Sequence, residues 1–171
     1  SGYSHNTVLV DGRAQDRRAP LQYTEPADVT WVTSRRFDYA SATYEDDYGG
    51  DHIKPATHKR EVRFCKPGFF CVNDILTSTD GREHTYDLIF HLDTTKVDPV
   101  AEYKNAVISD FGRKYEVIMI PLDENEENIK QFCISGQTEP IYQGWYVGRN
   151  ESNLHVAITV QRRITGVKNH R

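Results

Sequence analysis

The chain has little of what marks the familiar function classes. No apolar run approaches the ~20 residues needed to span a bilayer, and no charged-then-apolar leader opens it, so no membrane partner is expected. Positive charge is in deficit, with 21 Lys and Arg against 25 Asp and Glu, a net charge of -4 and a pI near 6.0. No basic stripe interleaved with aromatics is present, so nucleic acid is not an expected partner either. Cysteine is sparse and odd in number: Cys65, Cys71 and Cys133 lack any C-x-x-C or zinc-ribbon spacing. Cys65 and Cys71 fall inside apolar strand runs and read as small buried hydrophobes, with a bridge from either to Cys133 as the alternative. Nucleophile-elbow, phosphate-loop and His-Glu-x-x-His motifs are missing, which removes support for the common hydrolase and nucleotide-binding classes.

Helical patterning is also missing, because no window of eleven or more residues keeps apolar positions at i, i+3, i+4 and i+7. Single helical turns are expected at most, at Asp98 to Lys104 and Asp123 to Lys130, where Asp or Asn stands at the cap position.

What the chain does have is strand formers. Ten Tyr and seven Phe stand against one Met, and short period-2 runs alternate with turn signals, the pattern of antiparallel strands in a sandwich. About eleven strands are predicted by this pattern: Asn6 to Asp11, Val29 to Arg35, Phe37 to Tyr44, Arg60 to Cys65, Phe69 to Leu76, Thr85 to Leu92, Ala106 to Asp110, Tyr115 to Pro121, Ile129 to Ser135, Trp145 to Gly148 and His155 to Thr165. Lys66-Pro67-Gly68 and Asp110-Phe111-Gly112-Arg113 supply hairpin turns. At 171 residues the chain fits one domain with its own core. Two long connections, Arg13 to Asp28 and Glu45 to Thr57, are candidates for functional loops.

Several constellations offer chemistry. His5, His58, His84, His91 and His155 lie on or beside predicted strands, where neutral imidazole is a candidate metal ligand or base. The bland reading for each is a hydrogen-bonded or surface histidine. The acidic run from Glu45 to Asp51 lacks the ligand order of a calcium loop and reads as solvated. Trp31, Trp145, Tyr142 and Tyr146 read as core or sheet-face packing, with sugar stacking as the alternative. His5 is distinct: it enters a β-branched strand directly, followed by Asn6 and then the apolar Val8-Leu9-Val10 run. Lying five residues from the first residue, it suggests the downstream part of something larger.

The run His5-Asn6-Thr7-Val8-Leu9-Val10-Asp11-Gly12, with Gln15 after it, resembles a segment of the heparinase II/III-like polysaccharide lyases. Asp38 to Tyr44, His58 to Phe64, Phe69 to Asp74, His84-Thr85-Tyr86 and Phe90-His91-Leu92 follow that family's order, so the resemblance covers residues 1 to about 93. It implies a parent enzyme with an N-terminal (α/α) toroid of helices followed by a large two-layer antiparallel β-sandwich, of which residues 1–171 form most of the second part. Such lyases cleave acidic polysaccharides by β-elimination at a uronic acid. The carboxylate is neutralised, the C5 proton is abstracted and the 4-O-glycosidic bond leaves, using Asn, His and Tyr side chains in a cleft.

In that family these groups come from the toroid and from a His-x-His-Asn segment. Tyr3 stands where its first His would be, so no catalytic residue transfers and the isolated chain is expected to be inactive. The resemblance further implies that His5 is a metal ligand in the parent, holding one of three zinc positions. One ligand cannot hold zinc with useful affinity, so none is expected in this chain alone. Asn6, Arg13 and Arg17 are the expected substrate contacts, Arg being suited to carboxylate and sulfate. The implied partners are an acidic polysaccharide and the toroid of the same protein, in a bacterial periplasm or outside the cell. The competing readings are a non-catalytic carbohydrate-binding sandwich and a purely structural one.

Overall fold

The computed structural model describes residues 2–15, 27–50, 52–110, 116–122, 127–147 and 153–171. After a single 3-10 turn at Gly2–Ser4 the described chain is built from strands alone: β1 (Val8–Val10), β2 (Ala27–Thr33), β3 (Phe37–Tyr44), β4 (Ala56–Cys65), β5 (Phe69–Ser78), β6 (His84–Leu92), β7 (Lys96–Pro99), β8 (Val107–Asp110), β9 (Glu116–Met119), β10 (Ile129–Ser135), β11 (Trp145–Val147), β12 (Leu154–Val156), β13 (Ile158–Val167) and β14 (Asn169–His170). The all-β expectation is met, and the ladders β2–β3, β3–β4, β4–β5, β7–β8, β8–β9 and β10–β13 are all antiparallel. Among the described residues no helix is long and apolar enough to cross a membrane.

The chain forms two compact units, Ser1–Leu9 with Tyr86–Thr165, and Val10–Thr85 with Gly166–Arg171. The second holds the five-stranded sheet β14-β5-β4-β3-β2. Its centre is a hairpin closed by Lys66-Pro67-Gly68, which pairs Cys65 with Phe69 and carries Arg60 to Asp74 and Ala56 to Ser78. β2 is the sheet edge and is interrupted by a register shift between Ala27 and Thr30, an irregularity that blunts an exposed edge. After β3, Tyr48 is fully buried, bridges Gln15 and meets the Tyr44 ring edge-on at 5.5 Å. Near it Asp46 pairs with Lys54 at 3.1 Å and the mostly buried Asp47 with His52 at 3.0 Å, so Asp47 departs from the solvated reading.

The first unit contains the sheets β7-β8-β9 and β11-β12 and most of β1-β6-β13-β10. In β6 the residues Tyr86 to Ile89 are buried in succession, so this strand is covered on both faces. Val107, Ile158 and Val160 form a core cluster onto which Phe90, Leu92, Val97 and Met119 pack.

Four local expectations are corrected. Asp98 and Pro99 belong to β7, not to a helical turn; Pro is tolerated there because β7 is an edge strand. Ile129 and Lys130 belong to β10, while residues 123–126 lie outside the described residues. Cys65 and Cys71 are half-buried rather than buried, Cys133 is exposed, and all three are free thiols. Trp31, Tyr142 and Tyr146 are exposed, which removes core packing for them and leaves the sheet-face reading open.

Candidate functional site

The first part of the His5 to Gly12 run is fastened to β6 within the first unit. Thr7 accepts the Ile89 N–H through its carbonyl at 2.9 Å, and the Asn6 side-chain oxygen accepts the His91 N–H at 2.7 Å. The carbonyl of Tyr3 accepts the His91 Nε2–H at 3.1 Å. A carbonyl only accepts, so the proton sits on Nε2 and the other ring nitrogen, Nδ1, is an acceptor in the neutral ring. Thr159 Oγ1 stands 2.9 Å from that Nδ1, to which it donates when the ring is neutral, and accepts the Gly144 N–H at 3.0 Å. Burial pushes the His91 pKa down, and neighbouring His5 pushes the same way, against the Tyr3 carbonyl. His91 is therefore a neutral, doubly bonded structural imidazole.

Gly144 is irreplaceable in this chain of bonds. Its φ of +73° favours glycine, and a Cβ there would lie 2.6 Å from the Ser135 Cα.

The second part of the run belongs to the other unit. Val10 and Arg13 exchange backbone hydrogen bonds across a tight turn in which Asp11 adopts φ 50°, a left-handed conformation Asp tolerates better than most residues. The Asp11 carboxylate accepts the Thr85 N–H at 2.9 Å and the His84 Nδ1–H at 2.7 Å, and Asp80 takes the His84 Nε2–H at 3.0 Å. Carboxylates only accept, so both ring nitrogens carry protons and His84 is an imidazolium. Burial opposes that charge, but the bonds to Asp11 and Asp80 outweigh it and raise the His84 pKa.

Two buried carboxylates are tied in the same manner. Asp74 accepts from His58 Nε2 at 2.6 Å and from Arg60 through two bonds of 2.7 and 3.0 Å. Asp87 accepts from Gln161 at 2.9 Å and from Arg163 at 2.7 and 3.0 Å. Burial alone would raise the Asp74 pKa, yet the His58 and Arg60 hydrogen bonds hold it below the usual carboxylate range. These groups are closed structural pairings with no side chain left to attack a substrate.

The expected site residues fall out unevenly. His5 and Asn6 are both exposed, with the Asn6 oxygen engaged by β6. Arg13 is exposed and its stem lies over Gly49, where an added Cβ would stand 3.0 Å from Arg13 Cδ. Arg17 lies outside the described residues. Zinc does not fit what is present: among the described residues no three His, Cys, Asp or Glu side chains are grouped so as to hold a metal ion, the Asp11–His84–Asp80 cluster having both ring nitrogens bonded to carboxylates, and His91 beside His5 has both nitrogens bonded.

A sequence-family model described as Heparinase II/III-like, C-terminal, matches residues 2–170. No curated protein matches the sequence. Among solved structures, the heparan sulfate lyase HepC from Pedobacter heparinus is similar over 97% of this chain and 22% of its own, with a TM-score of 0.68 at 12% identity. A heparinase III gene product is similar over 96% of this chain and 22% of its own (TM-score 0.67, 14% identity), and a further heparinase III over 97% and 22% (TM-score 0.56, 13% identity). At such identities the likeness carries the antiparallel β-sandwich fold and nothing finer. The chain spans about a fifth of the length of each of these proteins, 22% in all three.

Proposed function

The chain belongs to the heparinase II/III-like, C-terminal family, and from that membership we propose that it is the β-sandwich part of a lyase that cleaves uronic-acid-containing acidic polysaccharides by β-elimination. The observation that carries the reading is the near-complete cover of this chain, 97%, against a minor share, 22%, of a heparan sulfate lyase. The elimination needs a donor for the uronate carboxylate, a base for the C5 proton and an acid for the leaving oxygen. None of these is assigned to the residues here, because the described histidines on β4 and β6 are locked in structural bonds. The catalytic groups belong to an N-terminal helical toroid in the parent, which acts in the periplasm or outside the cell.

In this reading Arg13 and Arg17 contact the acidic polymer together with Asn6, whose side-chain oxygen also holds the His5 segment against β6. A parent metal bound through His5 requires its other ligands from outside the described residues. The reaction leaves a double bond conjugated to the uronate carboxylate. Growth of that product's ultraviolet absorbance when full-length protein meets uronic-acid polymers tests the proposal, and a folded protein yielding none on any polymer contradicts it.

A second reading, a glycan-binding sandwich without catalysis, is favoured by one observation. Trp31 and Phe70, 71% and 66% exposed, fall on the same face of the five-stranded sheet by register.

A further inference from the structure

Alternation along β4 places Lys59, Glu61 and Arg63 on one face of the five-stranded sheet. The register sets Tyr39 and Cys71 beside Arg63, Ser41 and Asn73 beside Glu61, and Phe37 and Phe69 beside Cys65 on that same face. Arg60, on the opposite face, is consumed by Asp74. Arg63 is different: it is exposed, and among the described residues no carboxylate binds it. Its guanidinium instead lies 5.5 Å from the Phe37 ring centroid and 5.8 Å from that of Tyr39. Two rings thereby hold a planar fork of donors in place without using its hydrogen bonds.

Glu61, the acid at the centre of this face, is already occupied. Glu61 accepts from Asn73 Nδ2 at 2.8 Å and from the Tyr39 hydroxyl at 3.1 Å, and the charges of Lys59 and Arg171 also favour its ionised form. The face thus gathers Lys59, Arg63 and Arg171 around Glu61 in a chain whose net charge is -4. Phe69, 61% exposed, offers an apolar ring at its end.

We propose that this face, centred on Arg63, binds a carboxylate- or sulfate-bearing sugar of an acidic polysaccharide. Arg63 takes the anionic group through its fork, Lys59 and Arg171 supply longer-range attraction, and Phe69 supplies a surface for the apolar side of a sugar ring. The choice of polysaccharide over other polyanions rests on the function proposed above; the cationic, ring-supported face does not.

The test is affinity electrophoresis of the full-length protein through gels containing heparan sulfate, hyaluronan or neutral dextran, run with the lyase assay and with binding to phosphatidylserine vesicles. Expected is retardation by an anionic glycan and not by dextran, weakened about tenfold in dissociation constant by Arg63→Ala and only partly restored by Arg63→Lys. Unchanged thermal unfolding of the variants shows that they fold. Equal retardation of wild type and Arg63→Ala, no retardation of wild type, or binding to vesicles alone overturns the proposal. If Arg63-dependent retardation occurs without unsaturated product, the lyase reading fails and this one stands. Product formation with Arg63-independent retardation overturns this proposal and leaves the lyase reading in place.

Discussion

The side-chain oxygen of Asn6 accepts the backbone N–H of His91 at 2.7 Å, so a residue of the His5 to Gly12 run is spent on docking the N-terminal segment to β6. Two further bonds, from the His91 ring to Tyr3 and from the Ile89 amide to Thr7, fix the same segment. Asn6→Ala is expected to destabilise the protein by about 1 kcal/mol, a usual net value for one hydrogen bond, with Asn6→Asp recovering most of the loss because it keeps the acceptor. Urea unfolding checks this. A rise in KM for polymer without any loss of stability would instead assign Asn6 to substrate.

Thr159→Val keeps the shape of a fully buried side chain but removes the hydroxyl shared by His91 and Gly144. Two polar groups then lose their partner, and the expected cost is about 1–3 kcal/mol. Denaturant midpoints of Thr159→Val and Thr159→Ser separate this effect from packing, since Ser retains the hydroxyl and should recover more than half of the loss.

His84 and His91 make the stability respond to pH with opposite signs. The raised pKa of His84 gives stability that is complete below its ordinary value of about 6.5 and is lost as pH rises through the higher folded value. The lowered pKa of His91 gives the converse: stability present above about 6.5 and lost as pH falls through its folded value. His84→Gln should therefore flatten the alkaline limb of a stability profile and leave the acid limb intact, whereas His91→Gln should act on the acid limb. Chemical denaturation at a series of pH values reads both, and identical profiles for the two variants would refute the assignments.

Asp74 carries the largest predicted loss. Replacing it with Ala strands Arg60 and His58 beside an empty site, and breaking a buried pair in this way costs about 3–5 kcal/mol. Its depressed pKa adds that the stability it gives is present above about 3.9 and disappears as pH falls through the folded value. A melting temperature within a few degrees of wild type would contradict this account of the sheet.

The extent to which the sequence revealed this structure differs between elements. β3 and β10 have the predicted limits, being rich in aromatic and β-branched residues. The hairpin β4–β5 was legible from Lys66-Pro67-Gly68, and that turn also aligns Arg60 with Asp74, so the buried pair was recoverable by following the register. Ala56 to Lys59 was missed as strand because it follows Pro55 in a polar loop. β1 is shorter than predicted since Asn6 and Asp11 bond through side chains rather than the ladder. The single predicted strand from His155 to Thr165 is two, parted where the Ala157 N–H turns to the Gly144 carbonyl. No local signal marks the pairing of Asp11 with His84, or of Asp87 with Arg163, because each joins residues more than seventy positions apart. Arg63 was hidden for a different reason: its meaning lies in the rings of a neighbouring strand.

The central proposal is that residues 1–171 are the non-catalytic sandwich of a polysaccharide lyase. Its most direct test follows unsaturated product by ultraviolet absorbance for the full-length protein and for residues 1–171 alone, each given the same heparan sulfate, hyaluronan and alginate. Product from the full-length protein and none from residues 1–171 is the predicted result. Product from residues 1–171 alone, or none from a folded full-length protein, would contradict it.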